Sequence, residues 1–201
     1  MPGVFRMALG RPRSFDPDKA LDRAMYVFWR KGYEGTSLSD LTRAMRINAP
    51  SLYAAFGNKD ALFGKVIDRY VAGPASFIPA ALEEPTARAM VEHLLKGVVA
   101  LQSAKGHPGG CLLVRGAMAA GAKANRMRKE VLARLAGAEG AIRNRLERAK
   151  AEGDLPKHAN PADLARYIMA VLDGIAVAGA TGAPPKHLKR IADVALRAWP
   201  T

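Results

Sequence analysis

Residues 36–63 constrain this 201-residue chain more than any other stretch. Thr36 and Ser37 offer hydroxyl caps to a helix whose apolar positions, Leu38, Leu41 and Met45, fall at helical spacing. The stripe breaks at Arg46-Ile47-Asn48, and Pro50 suits the first turn of a new helix, where its missing N–H costs nothing. In that short second helix Leu52 and Phe56 face inward, which leaves Ser51, Tyr53 and Ala54 outside. Asn58 then caps a longer helix opening with Lys59. Two short helices joined by a tight turn, the second with a polar, small-residue outer face, form the helix-turn-helix arrangement that enters a major groove. The expected partner is therefore double-stranded DNA.

The rest of the chain reads as helical too. Residues 1–14 carry Arg6, Arg11 and Arg13 among Pro and Gly and look like a flexible basic arm. Asp16-Pro17 is an N-cap followed by proline at the first helical position, and the stripe Leu21, Ala24, Met25, Phe28 runs on to Lys31-Gly32. The helix capped by Asn58 buries Leu62, Val66, Ile67, Tyr70 and Val71 and stops near Gly73-Pro74. Further stripes lie at Met90 to Val98, at Leu112, Leu113 and Met118, and at Val131 to Leu146. Asn160-Pro161 caps another helix, and Pro184-Pro185 begins the last. No alternating run is long enough for a strand. The fold class is all-α: a basic arm (1–14), a helix-turn-helix domain (15–57), a connecting helix (58–73) and a larger helical domain (74–201).

Composition excludes several classes. Hydrophobic residues make up 49% of the chain, enough for a substantial core, and no 18-residue apolar run exists to span a membrane. The N-terminal residues lack the sustained apolar segment of a secretory leader. A lone cysteine, Cys111, rules out an internal disulfide framework and suits a reducing cytoplasm, the expected location. The net charge of +13 favours a polyanionic partner. It does not locate the contact surface: residues 1–70 hold 12 basic and 7 acidic side chains, and the remainder hold 19 and 11.

The run Gly32-Tyr33-Glu34-Gly35-Thr36-Ser37, then Leu52-Tyr53-Ala54-Ala55-Phe56, then Lys59-Asp60-Ala61-Leu62-Phe63 resembles the TetR family of transcriptional regulators. The resemblance covers residues 15–70 and is architectural beyond them. It implies that Tyr53 and Lys59 contact DNA phosphates, that the C-terminal domain is regulatory and dimerises, and that the protein is a regulator. One position departs from the pattern. The turn residue, often glycine in the family, is Arg46, where a left-handed backbone costs a non-glycine residue about 1 kcal/mol.

The residues themselves support the same contacts. A phenol and an ammonium at the edge of a recognition helix each bond a phosphate oxygen; the alternative is a Tyr53 ring packed on the first helix and a merely solvated Lys59. Thr36 and Ser37 sit at a helix N-terminus, itself an anion site. Sequence readout falls to Asn48, Ala49, Pro50, Ser51 and Ala54, whose small size suits close approach to the groove floor. Arg46 is either a base contact or a solvated turn residue. Arg11 and Arg13 either reach phosphates and the minor groove or stay in a solvated tail.

Cys111 follows Gly109-Gly110 at a predicted helix start, where the dipole favours thiolate. Some TetR-family members that sense electrophiles or oxidants carry a Gly-Cys-Leu segment at a comparable place; the alternative is a small buried hydrophobe. His93, His107 and Cys111 match no compact ligand spacing, and no phosphate loop or dinucleotide fingerprint is present, so neither a metal nor a cofactor is expected. Tyr70, Phe77, Met90, Leu94, Cys111 and Met118 are candidates to line an apolar pocket for a small-molecule effector, or equally to fill a core. Residues 123–150 hold nine basic and three acidic side chains, read as a solvated helix face. Ile168, Leu172, Ile175, Leu188, Ile191 and Leu196 give the last two helices more apolar surface than one face needs, and a homodimer interface is expected there. The expected function is a ligand-responsive regulator, most simply a repressor released from a palindromic operator. A constitutive DNA-binding protein with a purely dimerising C-terminal domain is the alternative. An enzyme using Cys111 lacks a matched histidine and acid, so no enzymatic activity is expected.

Overall fold

A computed structural model describes residues 15–106, 108–118 and 125–200. Over these residues the chain is all-helical: α1 (Pro17–Lys31), α2 (Leu38–Met45), α3 (Ala49–Phe56), α4 (Lys59–Ala72), α5 (Phe77–Leu82), α6 (Ala87–Ser103), α7 (Leu112–Met118), α8 (Asn125–Ala151), α9 (Pro161–Ala180) and α10 (Pro185–Arg197). The sequence-predicted starts hold in detail. The Asp16 carboxylate accepts from the N–H groups of Asp18 and Lys19, and Asn48, Asn58 and Asn160 cap α3, α4 and α9. Such caps satisfy donors that a helix start otherwise leaves unpaired.

Helix α5 was not separable in the sequence. Pro79 is its third residue, where the missing N–H has no intrahelical partner anyway, and Gly97 of α6 lets it approach closely: a Cβ there would sit 2.4 Å from the Phe77 ring.

Two apolar cores divide the molecule. One joins α1 to α4 with the start of α7 and the N-terminal half of α8, around Phe28, Trp29, Leu52, Phe63 and Ile67. The other joins α6, α9 and α10 with the C-terminal half of α8, around Leu94, Ile142, Ile168 and Leu188. Helix α4 is fixed to α1 within the first core: Leu62, Phe63, Val66 and Ile67 are buried, and Arg69 forms a two-bond pair with Asp22 at 2.8 and 3.0 Å. Helix α8 contributes Met127 and Val131 to the first core and Ile142, Leu146 and Ala149 to the second. Between these anchors lie Gly137 and Gly140, where an added Cβ would meet nothing within 4 Å.

Candidate nucleic-acid interface and internal cavity

Helices α2 and α3 present the predicted groove-facing surface. Asn48, Pro50, Tyr53 and Ala54 are exposed, Ala49 and Ser51 half-exposed, while Leu52 and Phe56 anchor α3 from beneath. Tyr53 leaves 51% of its surface to solvent, so about half of the residue is open to a partner. Between the helices Arg46 adopts φ 58°, ψ 43° and is the one non-glycine residue at positive φ among the described residues. Its N–H donates to Arg43 O and the next N–H, of Ile47, donates to Thr42 O. This is a Schellman ending with arginine in the position glycine usually takes, and it leaves the guanidinium exposed beside α3.

Ser37 and Thr36 have separate tasks. Ser37 forms a capping box with Asp40: the serine hydroxyl accepts from Asp40 N, and the Asp40 carboxylate accepts from Ser37 N. Lys31 at 2.7 Å, reinforced by Ser37, holds the Asp40 carboxyl well below the usual carboxylate range and offsets the acid's charge at the start of α2. Thr36 corrects the sequence expectation. Its side chain is buried and its Oγ1 donates to Gly32 O at 2.6 Å, so the hydroxyl closes the α1–α2 turn and is not presented to a phosphate.

Lys59 is neither buried nor freely solvated. Its Nζ lies 4.4 Å from the centre of the Tyr33 ring, and Tyr33 in turn donates its hydroxyl to Asp60. Partial burial lowers the Lys59 pKa, an effect opposed by Asp60 and Glu34. Tyr33, which the sequence reading left without a role, is thus the seat that aims Lys59. Arg11 and Arg13 lie outside the described residues.

A cavity of about 260 Å³ lies between the two cores. Of the six candidate pocket residues, Tyr70, Phe77 and Cys111 line it. Met90 and Leu94 do not: both are fully buried in the second core, because α6 turns that face toward α9 and α10. The Met118 side chain lies outside the described residues. The wall is apolar except for a few groups, of which Gln102, Arg134 and Asp173 were not among the sequence candidates. Asp173 was detectable as a single charge inside the long apolar run of α9. Burial raises its pKa, and no hydrogen bond or ion pair among the described residues offsets that.

At Cys111 both influences named from the sequence are present, and burial outweighs the helix start. Its sulfur does face the N–H groups of Leu113 and Val114 at the start of α7 and bonds the Tyr70 hydroxyl, all of which favour thiolate. Burial is the larger influence and raises the thiol pKa. Among the described residues no three His, Cys, Asp or Glu side chains come together as a metal site. His93 instead pairs with Glu84 at 2.8 Å, and His107 lies outside the description.

The predicted interface residues divide. Ile168, Leu172, Ile175 and Leu188 are buried in the chain's own second core and cannot contact another copy. Leu196 is half-buried against the same core. Ile191 is exposed and shares an outward apolar face with Tyr167 and Val194, each more than a third exposed. An apolar stripe in sequence marks a buried face without saying which neighbour buries it.

This arrangement has close counterparts. The family model described as "Bacterial regulatory proteins, tetR family" matches residues 20–66, and "Tetracyclin repressor-like, C-terminal domain" matches residues 87–195. The HTH-type transcriptional repressor ComR of Escherichia coli K12 is 34% identical over 193 residues, covering 95% of this chain and 92% of ComR. The chain belongs to the TetR family of transcriptional regulators. A second relative, the repressor BdcR of Escherichia coli K12, is 38% identical over 109 residues, 53% of this chain and 55% of BdcR. Among solved structures, a cysteine-substituted TetR family regulator CifR complexed with 26bp double-strand operator DNA superposes with a TM-score of 0.90 at 39% identity, covering 95% of this chain and all of that one. As a TetR-family member the chain is a helix-turn-helix DNA-binding transcriptional regulator. No described helix is long and apolar enough to cross a membrane.

Proposed function

We propose that this TetR-family protein is a ligand-responsive repressor: a homodimer, acting in the cytoplasm, that holds a palindromic operator and leaves it when a small molecule fills the cavity. The observation that carries the reading is the double role of α4. Its first residue, Lys59, flanks the recognition face, and its Tyr70 and Val71 form part of the cavity wall. On this reading residues 15–57 bind DNA, 58–73 connect, and 74–201 regulate and dimerise. Two copies meet through the outward face of α9 and α10, which places two α3 helices on half-sites of a palindrome. ComR and BdcR are named repressors, and CifR binds an operator duplex, which supports the assignment. The effector is small and largely apolar, because the cavity falls below the roughly 300–1,000 Å³ of drug-sized sites.

Base contact by the Asn48–Ala54 face and Arg46, and phosphate contact by Ser37, Tyr53 and Lys59, follow from exposure and placement. Tyr53→Ala and Lys59→Ala are expected to weaken binding to specific and nonspecific DNA alike. Each should flatten the slope of log affinity against log salt by about one. Fluorescence anisotropy on the DNA upstream of the gene measures both effects; wild-type affinity and slope in both variants would place the docking face elsewhere.

A second reading concerns Cys111, whose position on the wall exposes its sulfur to whatever occupies the cavity. An electrophile would there add to the thiol, slowly at neutral pH because the thiol is held protonated. Full modification detected by mass spectrometry with unchanged DNA affinity would remove this reading.

A further inference from the structure

Gly110 joins three helices. Its carbonyl accepts from the buried indole Nε1 of Trp29 on α1 at 3.0 Å and from Gln102 Nε2 on α6 at 3.3 Å; its N–H donates to Gln102 Oε1 at 2.8 Å. A side chain would be strained here: φ is +78°, and a Cβ would lie 3.1 Å from Arg115 Nε and 3.4 Å from Ala180 at the end of α9. Arg115, one turn into α7, reaches back to α1 and donates from Nη1 to the carbonyls of Arg30 at 3.2 Å and Trp29 at 3.5 Å. These carbonyls belong to the last turn of α1, which has no intrahelical donors for them and whose dipole favours a cation. Beyond that turn the chain passes directly into the recognition unit: Thr36 closes onto Gly32, and Lys31 pairs with Asp40 in the capping box of α2.

The other side of the same segment is the cavity. Gln102 and Cys111 are wall residues, and the wall residue Tyr70 meets the Trp29 ring edge-on with centroids 4.8 Å apart. We infer that residues 110–115 report cavity occupancy to the DNA-binding face through the last turn of α1, with Trp29 and Arg115 as the positioning residues that carry it. The inference rests on the reading that an occupied cavity lowers operator affinity. It adds a route: an occupant that displaces Gln102 or Cys111 moves Gly110, and Gly110 and Arg115 hold the turn from which α2 departs. Because Arg69 ties α4 to α1, the two helices follow together. Trp29 and Arg115 do not line the cavity, so their effect on release cannot come from touching the occupant.

N-ethylmaleimide on the full-length protein provides a defined occupant, since the chain has a single cysteine. The thiol adds across the maleimide double bond: a C–S bond forms at one alkene carbon and the thiol hydrogen ends on the other. Modified wild type is expected to bind the upstream DNA about 5–150-fold more weakly, the usual span of coupling between two sites. The indole N–H resonance of Trp29, identified by its loss in Trp29→Phe, should shift on modification. In Trp29→Phe, and separately in the half-buried Arg115→Gln, the weakening should shrink to within about threefold, with circular dichroism melting curves confirming both folds. If modified wild type loses affinity while both variants lose it equally, or while the Trp29 resonance stays in place, release stands and the α1 route is wrong. If modified wild type keeps full affinity, the release reading fails and this inference fails with it.

Discussion

The DNA-facing core and the cavity are built in opposite ways from the same kinds of side chain. Around Phe28, Trp29 and Leu52 the interior is closed, with none of these residues measurably exposed, and every helix from α1 to α4 begins on its own side-chain cap. Between the cores, Tyr70, Leu172 and Ala176 surround space rather than one another. The first arrangement spends its apolar surface on rigidity, so that a small recognition surface is held in register. The second withholds packing and leaves a place for another molecule. A protein that must hold DNA and also release it needs both.

The largest test of this contrast is truncation on each side of it. Leu52→Ala is expected to cost about 2–5 kcal/mol in urea denaturation, because a closed interior cannot collapse around the loss. Leu172→Ala, at a wall with contacts missing already, should cost no more than about 2 kcal/mol. Equal losses would mean that the cavity is as tightly supported as the DNA-facing core. Next in size is Arg46→Gly, which relieves the left-handed turn and should stabilise the fold by about 1 kcal/mol in thermal melts. If operator affinity falls in the same variant, the guanidinium is a DNA contact and the strained turn is kept for it.

Smaller effects sharpen the picture. Gly137→Ala and Gly140→Ala should each stabilise by about 0.5–1 kcal/mol, since both lie within α8 with open space at the Cβ position. Asp173→Asn tests the unpaired acid of the cavity. Burial raises its folded pKa, so the folded state holds the proton more tightly than the unfolded chain does. The ionised carboxylate therefore costs stability at neutral pH, and that cost fades as pH falls through the folded value toward the ordinary Asp value of about 3.9. With partial exposure screening the charge, the variant should be more stable by less than about 1 kcal/mol at pH 7, and the difference should close in acid. A gap that widens in acid would mean that the carboxylate has a favourable partner.

What the sequence disclosed follows the same division. Caps, the prolines opening helices, the Arg46 turn and the apolar stripes are signals between neighbours in the chain, and together they located nine of the ten described helices and the exposed face of α3. The cavity was only half legible, since Tyr70, Phe77 and Cys111 meet Asp173 across distances no local pattern encodes. Apolar periodicity identified Ile168 and Leu188 as buried but could not tell an internal neighbour from a second copy. For Cys111 the helix dipole and burial were both open in the sequence, and only the packed structure shows that desolvation is the larger influence. Thr36 was misassigned for a similar reason: a hydroxyl beside a cap has the same letter whether it points outward or closes the turn behind it.

Helix α8 enters both cores, with Met127 and Val131 at one end and Ile142 and Leu146 toward the other. Its central stretch carries the two glycines and belongs fully to neither. The two ends therefore sit in different cooperative units, each able to open at its own free energy, while the middle has the weakest local hold on its backbone hydrogen bonds. In hydrogen exchange the amides around 137–140 should lose protection before those at either end. The molecule can then loosen at its centre while the half around the first core and the half around the second stay folded.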